Sequence, residues 1–365
     1  MDTDAQALPA PTPGAPAAEP VSGRRRSRPL LAAGGLVLVA AIFWFVGWPA
    51  IAANVQRVGG WFFFLVAIYA FAQAAFALGW WVLFERAARP RFRELFGVYL
   101  AGDAANSLAP GNVAGEPLKV HLLRGETGAG AALASVTIHK HADLVAQWLF
   151  IAIGVTVALV RYPLPFAASM AAIIATAGLG GLLAVMSWAL PRGTYAPVLR
   201  RLARWRPLAR RIERLHDGAS RVDKRIAAFY SESPGRFAIS ATWCFLGWCG
   251  GLLETWIVLR LLSPGSGWAA AFAIEGLSMT LNNVFLFIPG RIGSAEGIRM
   301  GVFVLLGLPA AQGAAYGLLR RGRELAWTVP GVLRMFRSSA AGPTERRAAK
   351  LAASVEGRGA GGMTL

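Results

Sequence analysis

Long apolar runs alternate with short charged segments along most of this chain. Runs of spanning length lie at 30–48, 61–84, 132–160, 164–190 and 237–262. About 20 helical residues cross the hydrocarbon core of a bilayer. The pattern therefore predicts transmembrane helices, and residues 311–335 could add one more, although arginines interrupt them.

The first apolar run, Leu30 to Trp48, follows an arginine cluster at 24–28. It is compatible with a signal peptide cleaved near Ala50-Ile51-Ala52. However, a signal peptide has an apolar core of about 7–15 residues, and this run is longer and stands behind a long leader. We favour an uncleaved first span, with the signal peptide as the alternative.

Two further apolar stretches, 94–126 and 268–308, are broken by Pro-Gly pairs and charged residues. Non-helical backbone at membrane depth is tolerated only where it is buried in protein or lines water. Each stretch therefore predicts a broken or re-entrant helical hairpin. Charge placement requires the first to dip in from the cytosol and return. The second either dips in from the outer face or crosses twice.

Charge is scarce but strongly biased towards the positive sign. Of 365 residues only 15% are charged, yet Lys and Arg number 37 against 19 Asp and Glu, and mean hydropathy is +0.48. The loop 191–236 alone has twelve basic residues against four acidic ones. The positive-inside rule places this loop and both termini in the cytosol. Because the basic residues flank apolar runs, membrane lipids with anionic headgroups are the expected partners and nucleic acid is not; oligomerisation is left open.

The fold class predicted is an all-α polytopic membrane protein. It has about six full spans and two broken or re-entrant hairpins, giving six to eight crossings. A disordered basic tail covers 1–28, one transmembrane domain covers 29–336, and a disordered tail covers 337–365. Within loop 191–236, the basic run 200–225 predicts an amphipathic helix on anionic lipid. The chain lacks the common phosphate-loop, zinc-protease and serine-hydrolase motifs. No catalytic residue, cofactor or metal site is predicted.

The two broken stretches resemble each other. Pro110-Gly111-Asn112-Val113-Ala114-Gly115-Glu116 matches Pro289-Gly290-Arg291-Ile292-Gly293-Ser294-Ala295-Glu296 loosely, with one extra residue in the second. Lys140 and Arg320 each follow their loop glutamate by 24 residues. The expected topology makes the following spans run in opposite directions, so an inverted repeat is predicted. Matching broken segments in two such halves indicate a transporter substrate site.

Ionisable side chains at the centre of a membrane helix cost roughly 2.5–3.5 kcal/mol each, so they indicate a cavity, a partner or a ligand. The candidate cavity residues are Asn106, Pro110, Glu116, Lys119, His139, Lys140, Asp143, Glu254, Asn283, Pro289, Arg291, Glu296, Arg320, Arg321 and Glu324.

Several of these residues have two interpretations. Glu116 and Glu296 either cap helices or pair with Lys140 and Arg320 as gates. Glu254 either faces the cavity or pairs with Arg260. If Met300–Leu319 is instead a complete span, Arg320–Glu324 lie at an interface. His139 and His141, two apart, would not share a helical face; coupling to protons is open and metal binding is not expected.

The segments Asn106–Glu116 with Lys119 and Arg124, Ala134–Asp143, and Ile288–Glu296 followed by Arg320–Gly331 carry a family resemblance. They are similar to the transmembrane region of lysylphosphatidylglycerol synthases and to flippase-like membrane proteins, over about residues 30–336. The family often shows Glu-Arg-x-x-Asp where this chain has His139-Lys140-His141-Ala142-Asp143. Because His139 replaces the acid, the ion pair assumed at that position does not carry over.

The resemblance implies lipid translocation between leaflets of a bacterial inner membrane. Asp143–Gln147 and Glu254–Trp256 resemble most the branch associated with hopanoid biosynthesis. About 30 residues follow the last span, so aminoacyl transfer is not expected. Three hypotheses remain: a lipid transporter, a membrane enzyme acting on a headgroup through Asp143 or Glu296, and a scaffold for lipid synthesis.

Overall fold

A computed structural model describes residues 48–109, 113–203, 209–285 and 293–340. This part of the chain forms twelve α-helices and contains no strand. The helices are α1 (Trp48–Val58), α2 (Trp61–Trp81), α3 (Phe92–Leu108), α4 (Gly115–Thr127), α5 (Ala129–Arg161), α6 (Phe166–Ala189), α7 (Tyr195–Leu202), α8 (Ala209–Glu232), α9 (Pro234–Leu262), α10 (Trp268–Val284), α11 (Ser294–Leu305) and α12 (Ala310–Ala340). The all-α fold class is confirmed.

Four helical segments are long and apolar enough to cross a membrane: Trp61–Trp81, Ala129–Arg161, Phe166–Arg192 and Pro234–Leu262. They coincide with four of the predicted spans. Residues 30–47 of the first predicted span lie outside the described residues. The predicted run 311–335 is helical as part of α12, which ends at Ala340. Because of its arginines, it is not among the four helical segments that are apolar enough to cross a membrane.

Both broken stretches form two helices rather than one. The first is α3 followed by α4, and the second is α10 followed by α11. The alternative span Met300–Leu319 is wrong, because α11 ends at Leu305 and α12 begins at Ala310. Gly307 turns the chain there with a φ of 76°, a left-handed conformation that suits glycine, and Pro309 precedes the new helix.

The helices repeat in order and in length. α3, α4 and α5 have 17, 13 and 33 residues, and α10, α11 and α12 have 17, 12 and 31. Packing is reciprocal between the two sets. α3 packs extensively on α12, α10 packs extensively on α5, and the preceding helices α2 and α9 pack on each other. Each repeat thus packs its first helix against the last helix of the other repeat.

The two helices that precede the repeated units, α2 and α9, run antiparallel. Gly79 lies against Ser240, Phe76 against Gly247, and Ala72 against Gly250, so numbers fall on one helix as they rise on the other. A pair of equivalent helices in opposite directions is what an inverted repeat requires. The predicted inverted repeat therefore has direct support in the packing.

The basic loop contains α7 and α8. On α8, Val222 and Ile226 are buried while Lys224 and Arg225 are exposed, so the helix is amphipathic as predicted. Buried Asp223 accepts hydrogen bonds from three backbone N–H groups at the start of α7, at 2.8–3.0 Å. A carboxylate at a helix N-terminus satisfies orphan donors and the helix dipole. Asp223 thereby fixes α7 onto α8.

Candidate functional site

A polar cavity of about 290 Å³ lies between the two repeats. Its walls come from α2 to α5 on one side and from α9 to α12 on the other. Most of the predicted residues line it: Asn106, Glu116, Lys119, His139, Lys140, Asp143, Asn283, Arg320, Arg321 and Glu324. The described structure thus brings charged residues of both repeats to one place.

Two tight ion pairs hold the arginines of α12. Arg320 donates to Glu275 of α10, and Arg323 donates to Glu254 of α9. Both carboxylates are 1% exposed at the side chain. Glu275 also accepts hydrogen bonds from Thr255 at 2.6 Å and Tyr316 at 2.7 Å. Burial of these charges is tolerable because each carboxylate is in direct contact with a guanidinium group of opposite charge.

The acid on α12 itself is held much less closely. The Glu324 carboxylate lies 3.8 Å from Arg299, 3.5 Å from Arg321 and 3.9 Å from Arg323. A charge-assisted N–H to carboxylate hydrogen bond is about 2.7–2.9 Å long. Three guanidinium groups therefore surround one carboxylate without close contact.

The first repeat supplies its own counter-charges. Lys119 lies 3.2 Å from Glu116 and 4.8 Å from the centre of the Tyr99 ring, and Lys140 lies 3.0 Å from Asp143. The two residues of each ion pair are three positions apart on one helix, and this spacing puts their side chains on one helical face. The cations of this wall are neutralised locally.

The predicted gate pairs are wrong. Lys140 pairs with Asp143 rather than with Glu116, and Arg320 pairs with Glu275 rather than with Glu296. The pairing of Glu254 with Arg260 is also wrong, because Arg260 lies at the end of α9 and donates to the Pro264 carbonyl at 3.1 Å. In each case a partner on the same face or a packed helix is nearer.

At the start of each half-helix, a side chain of the same chain accepts a hydrogen bond from one backbone N–H group. Asn106 accepts a hydrogen bond from the Gly115 N–H at 2.7 Å, at the start of α4. Glu296 accepts one from the Gly293 N–H at 2.8 Å, at the start of α11. The structure therefore favours helix capping for Glu296. Glu296 also lies 3.9 Å from Arg321, at the edge of the arginine cluster.

The two histidines point different ways, as the helical period predicts. His139 faces the cavity wall and lies 3.0 Å from the Phe76 carbonyl oxygen. His141 lies 2.6 Å from the Tyr230 hydroxyl and 2.8 Å from that of Ser187. Burial raises the pKa of Tyr230. Among the described residues, no three His, Cys, Asp or Glu side chains could together hold a metal ion.

Several cavity residues were not predicted from the sequence, and some predicted residues lie outside the described part of the chain. Gln73 donates to Asp103 at 2.8 Å, Tyr99 lies beneath Lys119, and Arg299 belongs to the arginine cluster. Asp103 and Arg299 were visible as charges within apolar stretches, the same signal that identified Glu254. The predicted residues Pro110, Pro289 and Arg291 lie outside the described residues.

Comparison with known proteins places this chain in a family. A search of curated proteins and a search of solved structures find no match. The sequence model of one family, described as "Lysylphosphatidylglycerol synthase TM region", matches residues 31–331. This range covers most of the chain, all of the first repeat and the second repeat as far as residue 331 of α12. The chain is therefore a multi-pass membrane protein that belongs to the lysylphosphatidylglycerol synthase transmembrane-region family.

Proposed function

We propose that this protein moves a lipid with a polar or anionic headgroup between the two leaflets. The observation that carries the proposal is the charged cavity where the two inverted repeats meet. Its volume of about 290 Å³ is at the small end for ligand sites, so it accommodates a headgroup while acyl chains stay in the bilayer. A polar route of this kind removes most of the cost of taking a headgroup through hydrocarbon.

The charge layout supports a site that is balanced when empty. Lys119, Lys140, Arg320 and Arg323 each have a carboxylate within ion-pair distance. A headgroup entering the cavity exchanges partners with these pairs instead of meeting unpaired charges. Because each ion-pair partner is replaced by the headgroup, the free energies of the empty and loaded states stay close. A small difference lets the headgroup leave again, as repeated transport requires.

Transport is tested in liposomes that hold the purified protein and a headgroup-labelled phospholipid in one leaflet. We expect protein-containing vesicles to move the label faster than empty vesicles. Lys140→Gln should slow the movement, because Lys140 lines the cavity with a side chain 43% exposed. Arg260→Gln removes the same charge at the end of α9 and is the control. Equal rates with and without protein would reject the proposal.

A second candidate function is covalent modification of the headgroup. Asp143 favours it, because its Oδ1 is buried at the cavity wall with no hydrogen-bond partner among the described residues. Such a carboxylate could accept a proton from a headgroup. Mass spectrometry of lipids after gene deletion separates the two candidates. New or missing lipid species indicate an enzyme, whereas unchanged species with altered leaflet distribution indicate transport.

We propose the bacterial inner membrane as the location, with both termini and loop 191–236 in the cytosol. Support comes from the basic exposed face of α8 and the family membership. Within this function, a hopanoid or a phospholipid is the candidate cargo. Parallel transport assays with labelled hopanoid and labelled phospholipid discriminate between them.

A further inference from the structure

Three arginines, Arg299, Arg321 and Arg323, form a corner of the cavity around Glu324. We call this set the arginine corner. It is built from two helices, α11 and α12, that pack closely on each other. The corner therefore has a fixed backbone while its side chains border open space.

Glu324 differs from the other acids nearby. Its side chain is 31% exposed, against 1% for Glu254 and Glu275, and its three ion-pair distances are 3.5 Å or longer. Glu254 and Glu275 are instead in direct contact with their arginines. Glu324 is thus the acid of this region that can leave with least disruption.

The corner also has hydrogen-bonding capacity left over. The Nε atoms of Arg299 and Arg323 are buried and have no hydrogen-bond partner within the described part of the chain. Both residues are more than nine-tenths buried. A buried donor without a partner is costly, so a shift of these side chains that brings an acceptor to either Nε would be stabilising.

We propose that the arginine corner is a binding subsite for a phosphate group and that Glu324 occupies it as a displaceable counter-ion when the cavity is empty. A carboxylate offers two oxygens in one plane, which cannot reach three guanidinium groups at hydrogen-bond distance here. A phosphate offers more oxygens in a tetrahedral array and bonds well to the planar guanidinium fork. Binding displaces the Glu324 carboxylate towards the open cavity. The inference deepens the proposed function by assigning the part of the headgroup that α11 and α12 recognise.

The test measures binding by calorimetry with the full chain in maltoside micelles, which contain no phosphate. The probes are dioctanoyl phosphatidylglycerol and, without phosphate, dioctanoylglycerol. Glu324→Gln should bind the phospholipid about tenfold more tightly, since losing the competing carboxylate is worth about one charged hydrogen bond. Arg299→Gln should bind it about tenfold more weakly for the same reason. Dioctanoylglycerol should show neither change.

The matched control is Glu116→Gln, which removes one negative charge from the opposite wall of the same cavity. A gain as large as that of Glu324→Gln would mean that overall charge, not displacement at the corner, sets affinity, and would overturn the inference. Unchanged or weaker binding by a folded Glu324→Gln protein would also overturn it. Thermal unfolding verifies folding of each variant.

Inorganic phosphate and glycerol 3-phosphate identify the source of the phosphate. If the lipid is the ligand, neither inorganic phosphate nor glycerol 3-phosphate should displace the phospholipid at a comparable concentration. If either compound displaces the phospholipid and binds as tightly as it does, the subsite is supported with free phosphate as its ligand. The liposome assay remains separate. Absence of transport with the predicted affinity changes rejects the proposed function alone, and transport without these changes rejects the subsite alone.

Discussion

Asp143 of α5 and Arg323 of α12 occupy equivalent positions in the two repeats and carry opposite charges. Each follows the glutamate of its own broken hairpin, Glu116 or Glu296, by 27 residues, and each lines the same cavity. The repeats therefore conserve geometry while inverting charge at this position. The cavity therefore has a carboxylate on one wall and a guanidinium group at the matching position on the other.

The buried pair Arg320–Glu275 predicts a strong stability effect. Glu275→Ala leaves Arg320 charged and buried, and Thr255 and Tyr316 lose an acceptor. We expect unfolding free energy to fall by about 3–5 kcal/mol, the usual cost of breaking a buried pair. Denaturant unfolding in mixed micelles measures it.

Glu116→Ala is the comparison for that experiment, because Glu116 is more exposed than Glu275 and has a single ion-pair partner, Lys119. Its loss should cost less than that of Glu275, about 1–3 kcal/mol, because it leaves only the Lys119 ammonium without its ion-pair partner. Equal losses for Glu275→Ala and Glu116→Ala would contradict the assignment of Glu275 to a buried structural pair.

The contact between α5 and α10 predicts intolerance to even one methyl group. A Cβ on Gly154 would lie 2.7 Å from the Gly276 Cα and also too close to the Phe272 carbonyl oxygen. Gly154→Ala should destabilise the protein by about 1–3 kcal/mol, as overpacking does. Thermal unfolding of the purified protein measures the change.

Gly178→Ala on α6 provides the opposite expectation. No described atom lies within 4 Å of a Cβ at Gly178. Because alanine favours helix over glycine by about 1 kcal/mol, the variant should be neutral or slightly more stable. A loss of stability at Gly178 matching that at Gly154 would show that helix packing is not what distinguishes the two sites.

Asp223 predicts a local effect in the basic loop. Asp223→Ala removes the acceptor for three N–H groups at the start of α7 and should cost about 0.5–2 kcal/mol. Amide hydrogen exchange should rise in α7 while α2 and α9 stay protected. Asp217→Ala is the control because that side chain is 89% exposed; similar exchange in both variants would argue against the cap.

The proposed placement of loop 191–236 in the cytosol predicts opposite labelling at the two ends of α9. Lys224 lies in the loop before this helix, and Ser266 follows it. In intact cells, a membrane-impermeant thiol reagent should label Ser266→Cys and leave Lys224→Cys unlabelled until the cells are opened. Labelling of both from outside would place the basic loop on the wrong side. A variant without Cys244 and Cys249 serves as the background.

The sequence was sufficient for four of the predicted spans and for the division of each broken stretch into two helices, because both depend on local properties. Apolar length sets a spanning helix, and Pro-Gly pairs interrupt one. The Lys140–Asp143 pair was also within reach, since a spacing of three residues places both side chains on one helical face. The predicted pairing of Lys140 with Glu116 was based on the matching spacing in the two repeats, whereas the spacing along the helix favours Asp143.

The partners of Arg320 and Arg323 were beyond such rules. Glu275 and Glu254 are 45 and 69 residues away along the chain, and they meet the arginines only because the folded bundle brings the side chains of α10 and α9 to those of α12. Helix orientation in the packed bundle decides such contacts. Several buried acids have the same chemistry, so the sequence does not indicate which of them pairs with each arginine.

The absence of side chains where Gly154 meets Gly276 has a mechanical consequence. With backbone directly against backbone, α5 and α10 have no intervening side chains that could repack, so we expect the two helices to move together. Gly331 of α12 approaches Leu100 and Ala104 of α3 in the same manner. Each of these contacts joins one helix of the first repeat to one helix of the second, so we expect any relative motion of the helices to keep these two pairs together.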